Sequence, residues 1–400
     1  MKRSIVLGVA ASACFTLALA GCSSSKPADA GAGSGNAATS SSIPVAGTSA
    51  GSSASAGPSA AGPVSSAAGS AAMGSASGSA SGSASDSASG SAPGSAPASS
   101  AAGSMAAPAK ASKNYKVSFI QGVAGDNFYI TMQCGIQDEA KKLGVTVNTQ
   151  GATKFDPTLQ KPILDSVVQS KPDAILIAPT DVKAMQAPLQ KAAAGGIKIV
   201  LVDTTVNDPS FAASQVASDN LGGGKAAFDA IKQHAKGGKV LVISVDPGIS
   251  TTDARVKGFE DATKADPSFS YLGVQYSHND PATAAQLVTA ALQKDPDIVG
   301  IFATNLFAAE GSATGIKQAG KAGKVSIIGF DAGPDQISAL KAGTVQALVA
   351  QQPAKIGTDG LDQAVAALDG GKVTPKIQTG FSIITKDNVE STTAAYKAAC

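Results

Sequence analysis

From residue 116 onward, short apolar runs alternate with longer segments whose apolar positions recur at helical spacing. Residues 117–120, 145–148, 174–178 and 197–202 read as strands. Between them, 128–143, 157–170 and 185–194 read as helices. Strands separated by helices of this length predict βαβ units, hence a parallel sheet with right-handed crossovers. The pattern then restarts. Helices are predicted at 221–235, 253–264, 282–293, 308–318 and 353–368. Strands are predicted at 239–244, 271–275, 298–302, 325–330, 345–350 and 380–384, with a tail helix after the last. Two such sets predict two similar α/β lobes of roughly 130–150 residues each. A cleft between them is the default ligand site.

The strand at 325–330 is an apolar run rich in β-branched residues, as a strand covered on both faces should be. Asp331 follows at once, and Gly333-Pro334 turn the chain toward a helix. A carboxylate at the C-terminal end of a parallel strand sits where open α/β sheets bind ligands. Three other strands end on a polar residue in the same way, which predicts a shared polar site at the strand ends.

The start of the chain follows other rules. A basic Met1-Lys2-Arg3 precedes an apolar run, 4–20, too short for a confident membrane span. It closes on Leu19-Ala20-Gly21-Cys22. This resembles the lipobox of bacterial lipoproteins, which implies a signal peptide over 1–21 and a diacylated Cys22 as the first mature residue. Cys14 is then lost. Residues 22–113 are almost entirely Ser, Ala, Gly and Pro, which cannot bury enough apolar surface to offset ordering entropy. They read as a disordered tether. With Cys14 removed and Cys22 lipidated, Cys134 and Cys400 remain, and export to an oxidising compartment predicts a disulfide between them.

Charge narrows the partners. The formal net charge is +2, with no basic run beyond the start and no segment resembling a helix-turn-helix, so no nucleic acid is expected. His234 and His278 form no metal-ligand spacing with the two cysteines, so neither a metal nor a cofactor is expected. Gly222-Gly223-Gly224 before Lys225 lacks the upstream glycine of a P-loop and its Ser/Thr after the lysine. A helix start needing close packing accounts for it. No Gly-x-Ser-x-Gly occurs from residue 114 on, and neither histidine has an evident nucleophile beside it. Catalysis is not expected.

A set of short motifs then recurs in one order: Gly125-Asp126-Asn127-Phe128-Tyr129, Ala178-Pro179-Thr180-Asp181, Val202-Asp203 and Ser218-Asp219-Asn220. Asp253-Ala254-Arg255, Phe302-Ala303-Thr304-Asn305, Gly329-Phe330-Asp331 and Val349-Ala350-Gln351 continue it. In order and spacing this resembles the ribose-type periplasmic-binding-protein family, sugar-binding components of ABC importers. The resemblance implies an α/β fold of two Rossmann-like parallel-sheet lobes joined by three hinge crossings. It places 114–218 plus 352–383 in one lobe, and 219–351 plus 384–400 in the other.

The resemblance also implies roles. Asp331 and Asp203 would accept from sugar hydroxyls, Arg255 would donate through its fork, and Asn305 and Gln351 would do both. Phe128 and Tyr129 would wall the sugar ring. Asp126 stands where ribose binders carry asparagine, and Asn279 lies where they carry an aromatic. Thr204 replaces an arginine of the pattern. Other readings stay open: Phe128 as core, Arg255 paired with Asp253 or Glu260 on its own helix, Gln351 as a hinge residue. The expected protein is a monomeric lipoprotein anchored outside the cell membrane. It captures a pentose, hexose or polyol for an ABC permease. The alternative is a receptor component presenting a sugar or small autoinducer to a membrane sensor.

Overall fold

A computed structural model describes residues 109–400 of the chain. The expected signal peptide, the lipidation site Cys22 and the tether up to residue 108 lie outside the described residues. The first lobe opens with β1 (Lys116–Gln121), α1 (Asn127–Leu143), β2 (Thr146–Gly151) and α2 (Pro157–Gln169). It continues with β3 (Ala174–Ile177), α3 (Gln186–Ala194), β4 (Lys198–Val202) and β5 (Ser214–Ser218). The second lobe runs α4 (Asn220–His234), β6 (Gly238–Ser244), α5 (Ser250–Lys264), β7 (Phe269–Tyr276) and α6 (Pro281–Lys294). After these come β8 (Ile298–Ala303), α7 (Leu306–Gln318), β9 (Ser326–Phe330), α8 (Pro334–Lys341) and β10 (Ala347–Ala350). The chain then returns through α9 (Pro353–Leu368) and β11 (Lys376–Thr379) before ending its strands with β12 (Ser382–Thr385).

The strands form two six-stranded sheets, ordered β11-β5-β4-β3-β1-β2 and β12-β10-β9-β8-β6-β7. The two orders match position for position, so β4 and β9 are counterparts. Neighbouring strands are parallel except β12, which lies antiparallel to β10. The chain passes between lobes after β5, after β10 and after β11. The expected boundary between 383 and 384 falls inside β12, a strand of the second sheet.

Local chemistry explains most of these elements. Asp126, Asp156, Asp219 and Asp280 each accept a backbone N–H in the first turn of the helix that follows. Helix α1 stops at Gly144, which takes the left-handed conformation with φ 72°. Strands β3, β9 and β10 are buried at every position, as strands covered on both faces must be. Strand β5 has no apolar run. It alternates buried and half-buried residues around Val216, its one large apolar side chain.

The glycine run in α4 is a packing device. A Cβ at Gly224 would collide with the backbone carbonyl of Arg255, and one at Gly258 with that of Leu221. The two glycines let α4 and α5 approach backbone to backbone. Beneath them lies an aromatic core in which Phe259 stacks on Phe302 with centroids 5.1 Å apart and Phe330 lies beyond.

The expected tail helix is not formed. Asn388 instead ties the chain back on itself, accepting from the Thr385 N–H at 2.9 Å and donating to the Ile383 carbonyl at 3.0 Å. Such side-chain bonds compete with the helical ladder. The tail then runs to Cys400, whose Cα lies 5.3 Å from that of Cys134 on α1, paired as a disulfide. That separation lies within the ordinary range for the bond.

Candidate functional site

The C-terminal ends of both sheets point at one cleft. Asp126 caps α1 just after β1, and its Oδ1 accepts the Phe128 N–H at 2.8 Å. That start places Phe128 and Tyr129 on the first turn, their rings edge to face at 5.1 Å. Gly122 makes room for this wall, since a Cβ there would strike the Phe155 ring and the Tyr129 hydroxyl. Asp203 follows β4 with φ 63°, a left-handed backbone that a non-glycine residue adopts only when its surroundings impose it. Its Oδ2 accepts from the Tyr129 hydroxyl at 2.8 Å.

The second lobe supplies the facing groups. Arg255 on α5 donates from Nε to Asn220 Oδ1 and from Nη1 to the Thr304 carbonyl, both at 2.8 Å. Its guanidinium lies 3.8 Å from the centre of the Phe330 ring, a cation–π contact. Neither bond engages Nη2, so part of the fork is available to a ligand. The pairing with Asp253 or Glu260 does not form. Asp253 accepts from Gly248, and Glu260 pairs with Lys264.

Asp331, after β9, has φ 78° and is held by three donors. Oδ1 accepts from Gln351 Nε2 at 2.7 Å and from the Tyr396 hydroxyl at 3.0 Å, while Oδ2 accepts the Leu306 N–H at 3.0 Å. Gln351 also accepts from the Ser218 hydroxyl at 2.7 Å, so one amide links a hinge strand of the first lobe to a carboxylate of the second. Asn305 caps α7 and donates to Asn279 Oδ1 at 2.6 Å.

All nine residues expected to touch a ligand line a single cavity of about 40 Å³. On a measure by which one water needs about 10–15 Å³, that is space for a few water-sized groups. Phe128 and Gln351 each line the cavity, and each is also structural: Phe128 is buried against Tyr129 and Tyr396, and Gln351 bonds to Ser218 and Asp331. Thr204, where the sequence departs from the ribose pattern, turns its hydroxyl to the Pro179 carbonyl at 2.7 Å.

Sequence reasoning missed Phe155, Val245, Ile249, Thr251 and Thr252, which complete the lining, and Tyr396, which holds Asp331. Phe155 had a usable signal, since it sits in the loop after β2 and just before the Asp156-Pro157 helix start. Tyr396 had none beyond being an aromatic in a tail.

Burial dominates the electrostatics. It pushes Asp126 up to about 8, with the Asp331 charge adding to the rise and the Phe128 N–H opposing it. Burial likewise raises Asp203 to about 6, against the pull of Arg255 and the Tyr129 hydroxyl. Asp331 is raised for the same reason, and Arg255, Gln351 and Tyr396 hold it down. Three buried carboxyls thus face one guanidinium. Such a site can accept from several hydroxyls and donate to a few oxygens, and its aromatic wall can cover an apolar face.

Two hydrogen bonds bridge the lobes at the rim of the cleft. The Val182 N–H of the first lobe donates to the Gly248 carbonyl of the second at 3.0 Å, and the Thr205 N–H to Ser250 Oγ at 2.9 Å.

A family model described as a periplasmic binding protein domain matches residues 117–372. The ribose import binding protein RbsB of Bacillus subtilis (strain 168) is 32% identical over 276 residues, 68% of this chain and 88% of that protein. The D-allose-binding periplasmic protein of Escherichia coli (strain K12) is 32% identical over 257 residues, 62% of this chain and 83% of that protein. Among solved structures, an ABC transporter solute-binding protein from Agrobacterium vitis, bound with α-D-tagatopyranose, is 39% identical with a TM-score of 0.70. That match covers 71% of this chain and 100% of the other.

Proposed function

Since the chain belongs to the ribose-type family of periplasmic sugar-binding proteins, we propose that it captures a monosaccharide-like ligand between its lobes and delivers it to an ABC importer. The observation that carries this reading is the convergence of polar and aromatic groups from both lobes on one cavity. A pentose, hexose or polyol suits it, because each neighbouring hydroxyl needs a partner that can accept or donate. The family is one of substrate-binding components, and this chain is a binding protein rather than an enzyme. The relative named for ribose import and the solved structure of an ABC transporter solute-binding protein support transport over the receptor reading.

The residues divide the work by lobe. Asp331 accepts from ligand hydroxyls and Arg255 donates through the free part of its fork. Asn305 and Asn279 exchange their mutual bond for bonds to the ligand, while Gln351 stays bonded to Asp331 and Ser218 and offers its remaining amide capacity. Asp203 and Asp126 accept from the first-lobe side, and Phe128 and Tyr129 wall the ring. Because one ligand touches both lobes, binding favours the closed arrangement over an open one. Lobe one takes 114–218 plus 352 to the β11–β12 crossing, and lobe two the remainder. Outside the described residues, Cys22 carries the lipid anchor and the serine-rich stretch serves as the tether to the outer face of the membrane.

Thermal-shift screening against pentoses, hexoses and polyols tests the reading. A ligand at a hundredfold excess over its Kd stabilises the native state by about 2.7 kcal/mol. At about 2–4 °C per kcal/mol this gives a rise of several degrees. A panel in which no sugar or polyol raises the melting temperature, with no heat of binding by calorimetry, rules the reading out.

A further inference from the structure

The last residues of the chain make contacts that neither the fold nor the family site requires. After β12 the tail belongs to the second lobe, where Glu390 pairs with Lys341 of α8 at 3.0 Å and the Tyr396 N–H donates to the Ala332 carbonyl at 2.9 Å. One residue later it belongs to the first. The Lys397 N–H donates to Thr131 Oγ1 at 2.8 Å, Asn127 Nδ2 donates to the Lys397 carbonyl at 3.2 Å, and Cys400 sits against Cys134. Asn127, Thr131 and Cys134 are the first turns of α1, the helix whose start carries Asp126, Phe128 and Tyr129.

Tyr396 is the point of transfer. It is 5% exposed, and its ring packs on Phe128 of the first lobe with centroids 6.0 Å apart. Its hydroxyl donates to Asp331 Oδ1 and accepts the Gln351 N–H, each at 3.0 Å. One side chain therefore touches the aromatic wall of one lobe, the carboxylate of the other and a hinge residue between them.

The geometry points to the C-terminal strap, residues 389–400, as a fourth crossing between the lobes. Pinned at Cys134, it restrains their rotation and makes Tyr396 a positioning residue for Asp331. The three other crossings are stretches of backbone that follow β5, β10 and β11, and none of them carries a covalent cross-link. A strap closed by a covalent bond to α1 adds a restraint that opening of the cleft must work against. The Tyr396 hydroxyl, with Gln351, holds Oδ1 so that the free acceptor capacity of Asp331 is presented in one orientation. The effect of this on affinity rests on the sugar-binding reading above, but the strap itself does not.

The test therefore uses two readouts that need no ligand. In the full chain, spin labels introduced as unnatural amino acids at the exposed Lys191 and Lys257, one per lobe, report the inter-lobe distance. Cys400→Ser and Cys134→Ser should both give longer and broader distances than the parent. Separately, Tyr396→Phe keeps the ring and removes a donor that holds the Asp331 carboxyl down. The midpoint of its titration, followed by carbon-13 NMR, should move up. Unchanged distances in the cysteine variants, or an unchanged Asp331 midpoint in Tyr396→Phe, overturns the inference. Calorimetry with D-ribose, D-allose and D-tagatose then adds the binding consequence, on the order of fivefold weaker affinity in Tyr396→Phe from one lost hydrogen bond. Failure of the parent to bind any of them would count against the sugar reading and leave the distance result standing.

Discussion

Asp203 and Asp331 occupy the same place in two matching sheets. Each follows the third strand of its six, and each has the left-handed backbone. Their surroundings differ. Asp331 is held by three donors, all from the second lobe and its tail, and its neighbour Arg255 is fixed by two hydrogen bonds and a ring. Asp203 has one donor, the Tyr129 hydroxyl. The second lobe thus presents a pre-wired half-site, and the first an aromatic wall with less constrained acceptors. Pre-wired groups lose little freedom on binding, which is how affinity is gained without extra contact area.

On this asymmetry, Arg255→Ala and Asp331→Ala should have the largest effect. Truncating one member of a buried, hydrogen-bonded charged set costs about 2–5 kcal/mol of affinity. Asp203→Ala should cost less, about 1–3 kcal/mol, as for an ordinary buried hydrogen-bonding group. Calorimetry on a sugar that raises the melting temperature checks both, with circular dichroism to establish that each variant is folded. A larger loss for Asp203→Ala than for Asp331→Ala would reverse the comparison, and unchanged affinity in all three would remove the site.

The pH dependence of the empty protein tests the first-lobe carboxyls directly. Asp126 and Asp203 both have folded-state values above the ordinary carboxyl, about 8 and about 6. A raised value means that the folded state holds its proton more tightly than the unfolded chain. The stability this contributes is complete below about pH 4 and is lost as the pH climbs through about 6 and then about 8. Each group adds a slope of at most about 1.4 kcal/mol per pH unit. The melting temperature should therefore fall between pH 5 and pH 8, and Asp126→Asn should flatten the upper part of that fall. A parent protein whose melting temperature is level across this window would show that the first-lobe carboxyls are not held as described.

The smallest effect should come from Tyr129→Phe, which removes the one donor on Asp203 and leaves the ring wall in place. Affinity should drop by about 1 kcal/mol, and the Asp203 titration should move upward from about 6. Loss of affinity as large as in Asp331→Ala would mean that the first lobe is as finely wired as the second.

Periodicity in the chain was enough to read the two lobes and most of their strands, because a strand covered on both faces needs an uninterrupted apolar run and leaves a visible one. The polar residue after each such run was readable for the same local reason. Asp203, Asn305, Asp331 and Gln351 stand immediately beyond a strand or one or two residues past it. Strands without that signature were invisible. Ser214–Ser218 carries one large apolar residue, and Lys376–Thr379 is an edge strand with a half-buried isoleucine, so neither forms a run.

What tertiary structure alone decided is which groups meet. Phe155, in the loop before α2, and Thr252, in the first turn of α5, enter the cavity because the sheet ends bring together segments far apart in sequence, and no local pattern encodes that encounter. Tyr396 is the extreme case. Sixty-five residues separate it from Asp331, and its tail was expected to be helical. Asn388 turns the chain instead, and burial of the tyrosine between Phe128 and Asp331 sets its path. Local sequence sets strand and helix because their hydrogen bonds and apolar spacing close within a few residues. A binding site closes only across lobes, so its wiring depends on packing over the whole fold.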